Sequence, residues 1–177
     1  PGGNDPGDGE PGDEDPDEEP TPVEFSLGES TAHYDGTPKS VSVTSTPPDV
    51  AFEVAYSQAG ISVPEPVAAG TYDVSITATA DGFQGTANGE LTIMPRALTL
   101  TAEYTLKSVG DADPLFTYQL DGSLVAGDQL TGNLSREPGE APGTYAITRG
   151  DVDAGPNYVL TFHGNSLDVS PFHPQLA

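Results

Sequence analysis

From Val23 onward, apolar and polar positions alternate with a period of two in short runs. "GTYDVSITAT" places Tyr72, Val74, Ile76 and Ala78 on one face and Asp73, Ser75, Thr77 and Thr79 on the other, the pattern of a half-buried antiparallel strand. "KSVSVTST" repeats it with Val41 and Val43, and "ALTLTAEYTL" with Leu98, Leu100, Ala102, Tyr104 and Leu106. "NYVLTFHG" points Tyr158, Leu160 and Phe162 inward and Val159, Thr161 and His163 outward.

Turn formers separate the runs: Asp35-Gly36, Asp81-Gly82, Asn88-Gly89, Asp121-Gly122, Gly139, Gly155-Pro156 and Gly164-Asn165. No stretch of helical period exceeds two turns, and the one place for a helical turn is "SLVAGDQL", where Leu124 and Val125 precede Gly127. Short strands at regular spacing predict an all-β chain of small antiparallel domains. An immunoglobulin-like sandwich is the first choice, and a β-grasp-like sheet built from two hairpins around "SLVAGDQL" is the alternative.

The pattern occurs twice. "AAGTYDV" and "APGTYAI" stand 73 positions apart, while Pro38 and Pro114, and Leu91 and Leu167, each stand 76 apart. Three anchors at nearly one offset indicate two domains on one plan, over 23–95 and 96–171, with residues 172–177 as a tail. Glycine permits the turn into the strand, and threonine favours the strand itself. Tyr72 and Tyr145 then plug their rings into the core while each hydroxyl reaches a neighbouring backbone group, as in a tyrosine corner. The competing use of these rings, stacking on sugars, conflicts with their place on the apolar face. Only Met94, Pro95 and Arg96 separate the two copies, a junction short enough to restrict bending.

The second copy, with "VGDADPLFTYQLDG", "AGDQLTGNLSREPGEAPGTYAITRGDV", "NYVLTFHG" and "LDV", resembles the MBG domains repeated in long bacterial surface proteins. Their pattern runs Tyr-Gly-x-x-x-Pro, Gly-Asp-x-Leu-x-Gly-x-Leu-x-Arg, Gly-x-Tyr-x-Ile and Asn-Tyr. The likeness covers residues 97–170, and Val109 stands where the pattern has tyrosine. The first copy, with "HYDGTPKSVSV", "AAGTYDVSITAT", "DGFQGTANGELTI" and "PRALTLTA", is similar to the sister type carrying Tyr-Asp-Gly-Thr-Pro-Lys, over about residues 25–95. The resemblance implies a stalk or repeat module of a secreted, adhesin-like bacterial surface protein. The family's name points to mucin or carbohydrate, with no set of binding residues to carry across.

Charge and composition narrow the setting. The 177 residues hold 28 acidic and 5 basic side chains, a formal charge of −23, which repels phosphate backbones and anionic lipid head groups. Nucleic acid is therefore not expected as a partner. No apolar run approaches the ~20 residues of a spanning helix, so no membrane insertion is expected of this segment. Cysteine is absent, which removes disulfides, thiolate nucleophiles and Cys-based zinc sites. Residues 1–22 carry nine carboxylates and no basic side chain. Such a segment cannot offset its ordering entropy and reads as a disordered acidic linker, extended to about 70 Å at most. The chain opens inside this stretch, so it is expected to be a piece of a longer protein.

No catalytic constellation appears, and no catalytic, cofactor-binding or metal residue is assigned. Calcium is the one cofactor the composition leaves open, with Asp111 and Asp113 in "GDADP" and Asp128 in "AGDQ" as its candidates; the same residues equally make turns. His33, His163 and His173 lack metal-ligand spacing. Ser166 and Ser170 near His163 lack a nucleophile elbow. "NLS" at Asn133 to Ser135 fits a glycosylation sequon, incidental in a bacterial protein. The expectation is a non-catalytic extracellular stalk whose partners are neighbouring repeat domains of the same chain. A carbohydrate- or mucin-binding module is the alternative, with host or environmental glycans as partners and Phe83 and Phe172 as its exposed aromatics.

Overall fold

The computed structural model describes residues 19–171. The expectation of disorder over residues 1–18 and the tail from Phe172 lie outside the described residues. Every regular element among the described residues is a strand.

The first domain contains β1 (Thr21–Pro22), β2 (Glu24–Leu27), β3 (Thr31–His33), β4 (Val43–Thr46), β5 (Phe52–Gln58), β6 (Ile61–Ser62), β7 (Gly70–Ala78), β8 (Phe83–Gln84) and β9 (Thr86–Met94). The second contains β10 (Arg96–Ala102), β11 (Thr105–Ser108), β12 (Tyr118–Asp121), β13 (Ser135–Arg136), β14 (Gly143–Thr148), β15 (Tyr158–His163) and β16 (Asn165–Ser170). In the first, β2 pairs β4 and a larger sheet runs β3-β9-β7-β5-β6. In the second, one sheet runs β12-β10-β15 and the other β11-β16-β14-β13. One plan underlies both: the opening strand pairs the next long strand antiparallel, then switches to lie beside the closing strand.

That last pairing corrects the antiparallel expectation. β1 pairs β8, β3 pairs β9, β10 pairs β15 and β11 pairs β16, all parallel. Alternation reveals which face of a strand is buried but carries no information about the direction of its neighbour. Residue offsets agree across the two copies: Thr21 lies opposite Phe83 as Arg96 lies opposite Tyr158. Among the described residues the first strand begins at Thr21, inside the segment read as linker. Thr21 and Val23 donate their N–H groups to Gly82 and Gln84, and Pro22, which has none to donate, sits between them.

The repeated Gly-Thr-Tyr string does the same work twice. Tyr72 lies opposite Leu91 and Tyr145 opposite Leu167, in β7–β9 and β14–β16. Each phenol donates to the carbonyl four residues upstream, Tyr72 to Ala68 and Tyr145 to Ala141, both at 2.8 Å. Tyr72 is buried, whereas Tyr145 is half-buried with the Arg136 guanidinium 5.4 Å from its ring centroid.

The two cores are not independent. Tyr34, Val41, Tyr56, Tyr72, Val74, Ile76, Leu91 and Ile93 pack together, and the same cluster continues into Leu98, Ala154 and Tyr158 of the second domain. A separate cluster of Leu100, Ala102, Leu134, Ile147, Val152, Leu167 and Val169 fills the rest of the second.

Three sequence expectations change. Tyr104 and Leu106, expected inward, are exposed, because the alternation shifts by one residue at Glu103-Tyr104, where β10 ends and β11 begins. The partner strand shifts at Gly164, so Lys107 is buried in place of Leu106, and Leu167 is buried beside it. Asn88-Gly89 is no turn; Gly89 lies within β9, and a Cβ there would stand 2.5 Å from the Leu27 Cδ2. "SLVAGDQL" makes a single turn, closed by the Asp128 N–H on the Val125 carbonyl at 3.0 Å, and no helix.

Candidate functional site

Among the described residues, charged and polar side chains converge at the junction of the domains and at the far end of the second.

At the junction only Pro95 separates β9 from β10. The Asp128 carboxylate, on the loop between β12 and β13, accepts through one oxygen from Tyr34 of the first domain at 2.8 Å and from Tyr158 of the second at 2.6 Å. The Tyr158 hydroxyl in turn accepts the Val125 N–H at 2.8 Å. The two rings meet edge to face with centroids 5.6 Å apart, a favoured aromatic geometry. Beside them the Asn157 side-chain carbonyl accepts the Ala69 N–H at 2.8 Å, and its backbone carbonyl accepts the Arg96 N–H at 2.9 Å. Gly36, in a left-handed conformation at φ 81°, lets Val125 close in: a Cβ there would stand 2.5 Å from the Val125 Cγ1.

Electrostatics follow from this sharing. The Tyr158 and Tyr34 hydroxyls favour the ionised Asp128 and lower its pKa. Tyr34 is raised by its bond to that carboxylate and by burial; Tyr158 is raised by burial and then by the same carboxylate. An ionised acceptor shared by two phenols is suited to fastening surfaces together.

At the far end of the second domain, Lys107 is buried, with 5% of its surface exposed. It donates to Asp113 at 2.8 Å, Glu140 at 2.6 Å and the Asp111 carbonyl at 3.0 Å. Arg136 grips Asp113 through Nε at 2.7 Å and Nη2 at 2.9 Å, reaches Glu140 at 2.5 Å, and caps the Gly139 and Glu137 carbonyls. Arg136 and Lys107 together hold the Asp113 carboxyl down to about 2. Two cations thus balance two carboxylates in one network.

The calcium candidates are therefore not brought together. Both Asp113 oxygens face cations, the Asp111 side chain turns back toward the Ser108 N–H at 3.4 Å, and Asp128 serves the junction from a different loop. Among the described residues, no three His, Asp or Glu side chains are arranged to hold a metal ion. His33 and His163 are exposed, and His173 lies outside the described residues. The Ser170 hydroxyl donates to the Lys107 carbonyl rather than to a histidine. Asn133 of the sequon is exposed. Phe83 is half-buried and Phe172 lies outside the described residues, among which the exposed aromatics are Tyr104, Tyr118 and Phe52.

Residues 24–97 match the family model of the MBG domain, and residues 98–168 that of the MBG domain (YGX type). The chain belongs to the MBG-domain family, with two copies in tandem. MBG domains occur in surface adhesin-like proteins and are not a known enzyme family. No curated protein matches the chain.

The junction uses residues from both MBG domains: the Tyr34-Asp35-Gly36 turn and Ala69 of the first, the Gly127-Asp128 turn and Asn157-Tyr158 of the second. Sequence reasoning placed Asp35-Gly36 and Asp128 in turns and Tyr158 on the inward face of a strand, and did not join them across domains. The available signal was their chemistry. A phenol, a carboxylate and an amide, each in a turn at a domain end, are groups that pair across a gap.

Proposed function

We propose that this chain is a non-catalytic extracellular spacer of a bacterial surface adhesin-like protein, projecting other domains from the cell. The parallel pairing of opening and closing strands carries the reading. A domain whose first and last strands run in the same direction receives the chain at one end and releases it at the other. Tandem copies then add length instead of folding back. Each opening strand spans about 13 residues, or about 40 Å at strand rise, so two domains extend to about 80 Å. The one-residue junction and the Tyr34–Asp128–Tyr158 contact hold them in line.

Neighbouring repeat domains are the partners under this reading, and the excess of acidic side chains keeps the spacer dispersed. The test is to immobilise the chain by one end and measure the height of a fluorophore at the other. A stand-off near the summed domain lengths supports a spacer. A height of one domain, with the ends side by side, overturns it.

A second reading, glycan binding, has one observation in its favour. Tyr104 stands 52% exposed beside the exposed Leu106, its hydroxyl held by Asp168 at 2.9 Å, with Asp168 also accepting from Thr144 at 2.7 Å. A fixed aromatic flanked by polar groups suits a sugar ring. Binding to a glycan panel that is lost in Tyr104→Ala would establish that reading; no binding leaves the spacer alone.

A further inference from the structure

We infer that the junction is a directional plug and socket, and that neither outer end of this domain pair can form the same joint. The plug is the trailing end of the first domain and the socket is the leading end of the second.

Backbone bonds fix which residues are equivalent. The Tyr34 N–H donates to Met94, the last residue of β9, and the Val109 N–H donates to Ser170, the last residue of β16. Tyr34 and Val109 thus occupy one position. Ala69 and Pro142 each precede the Gly-Thr-Tyr string and likewise correspond. The first domain donates to the socket through the Tyr34 hydroxyl and the Ala69 N–H. The second domain has lost both donors, one to a valine without a hydroxyl and one to a proline without an N–H.

The leading ends differ in the same way. Thr21 donates its N–H to Gly82 as Arg96 donates to Asn157, which equates Gly82-Phe83 with Asn157-Tyr158. The first domain therefore has neither the amide that accepts from Ala69 nor the phenol that shares Asp128. Its loop after β4 has five residues before β5, against thirteen between β12 and β13, so no counterpart of the Val125–Asp128 turn reaches forward. The socket accepts a domain end that presents a phenol and a free backbone N–H. The second domain's own trailing end presents neither and carries the Lys107–Asp113–Arg136–Glu140 network there.

It follows that the latched unit is this pair, and that a further copy of either domain set against its outer ends would lack this latch. This inference is independent of whether the pair serves as a spacer.

The test uses the full chain, which lacks cysteine and so accepts spin labels at introduced cysteines alone. Glu90→Cys and Thr161→Cys place one label on an exposed strand position of each domain. The expected result is one narrow distance. Tyr34→Val with Ala69→Pro gives the plug the second domain's own residues and is expected to abolish the narrow distance while both domains keep dispersed NMR spectra. Val109→Tyr with Pro142→Ala at the far end is expected to leave the distance unchanged. Should the double variant at the plug fail to fold, Tyr34→Phe removes only the hydroxyl and is expected to broaden the distribution. A distribution as narrow as the parent's in the folded plug variant, or in Tyr34→Phe, overturns the inference.

Discussion

Tyr34 donates its hydroxyl to the Asp128 carboxylate at 2.8 Å, across 94 positions of the chain and across the boundary between two domains. Tyr158 reaches the same oxygen from inside the second domain. A junction one residue long would restrict the relative positions of the domains in any case. The shared carboxylate selects one arrangement, because its two donors come from different domains and cannot both be satisfied in another.

The phenols report on that carboxylate. Tyr34 and Tyr158 are raised with Asp128 contributing to both, and Tyr104 is raised by its bond to Asp168. Alkaline titration followed by tyrosinate absorbance is expected to show these phenols ionising above the ordinary tyrosine range. Asp128→Asn moves the titration of two of them toward lower pH, and Asp168→Asn moves one. Unchanged curves in Asp128→Asn would remove the shared acceptor from the account.

The Asp113 carboxyl sets an acid limit on the second domain. Its folded pKa, about 2, lies below the ordinary carboxylate value near 3.9. A depressed carboxylate contributes its stability above the unfolded pKa and loses it as pH falls through the folded one. The melting temperature is therefore expected to fall between about pH 4 and pH 2, and to fall less over that window in Asp113→Asn. Parallel pH profiles for the two proteins would contradict the assignment.

Calcium is expected to leave thermal stability unchanged. An ion bound only by the folded state must raise the unfolding midpoint, but Asp113 already faces Lys107 and Arg136, and Asp128 faces two phenols. A midpoint that rises with calcium and not with equal ionic strength of sodium would show a site that these contacts do not explain.

The two fastening tyrosines are unequal. Tyr72 is 2% exposed within the first core, while Tyr145 is half-buried against Arg136. Tyr72→Ala is expected to cost the first domain about 3 to 5 kcal/mol, the range for removing a buried aromatic ring. Tyr145→Ala is expected to cost clearly less. Urea unfolding of each variant gives both values, and a larger loss at Tyr145 would reverse the ranking.

The two-domain plan was legible because its signals are local. Gly-Thr-Tyr gave the turn, the strand and the tyrosine that closes it, and the matched leucines Leu91 and Leu167 lie opposite those tyrosines. Val74 and Ile76 were read as buried from alternation alone and are. The losses came where two distant segments decide together. Leu106 looked inward until Gly164 on the neighbouring strand and Glu103-Tyr104 on its own shifted phase in step. Gly89 looked like a turn because nothing near it in sequence mentions Leu27. Asp128 was chosen as a candidate for its charge, but its partners, Tyr34 and Tyr158, are set by how one domain docks on the next.

Parallel terminal strands also determine what tension does to these domains. A pull on the two ends of the chain acts along β10 and β11 in one direction and along β15 and β16 in the other, so their hydrogen bonds are loaded together in shear instead of being unzipped singly. The second domain sets six register pairs in β10–β15 and four in β11–β16 against that load; the first sets two in β1–β8 and three in β3–β9. Under increasing force the first domain is therefore expected to yield before the second, and its unravelling to lengthen the chain while the second still holds.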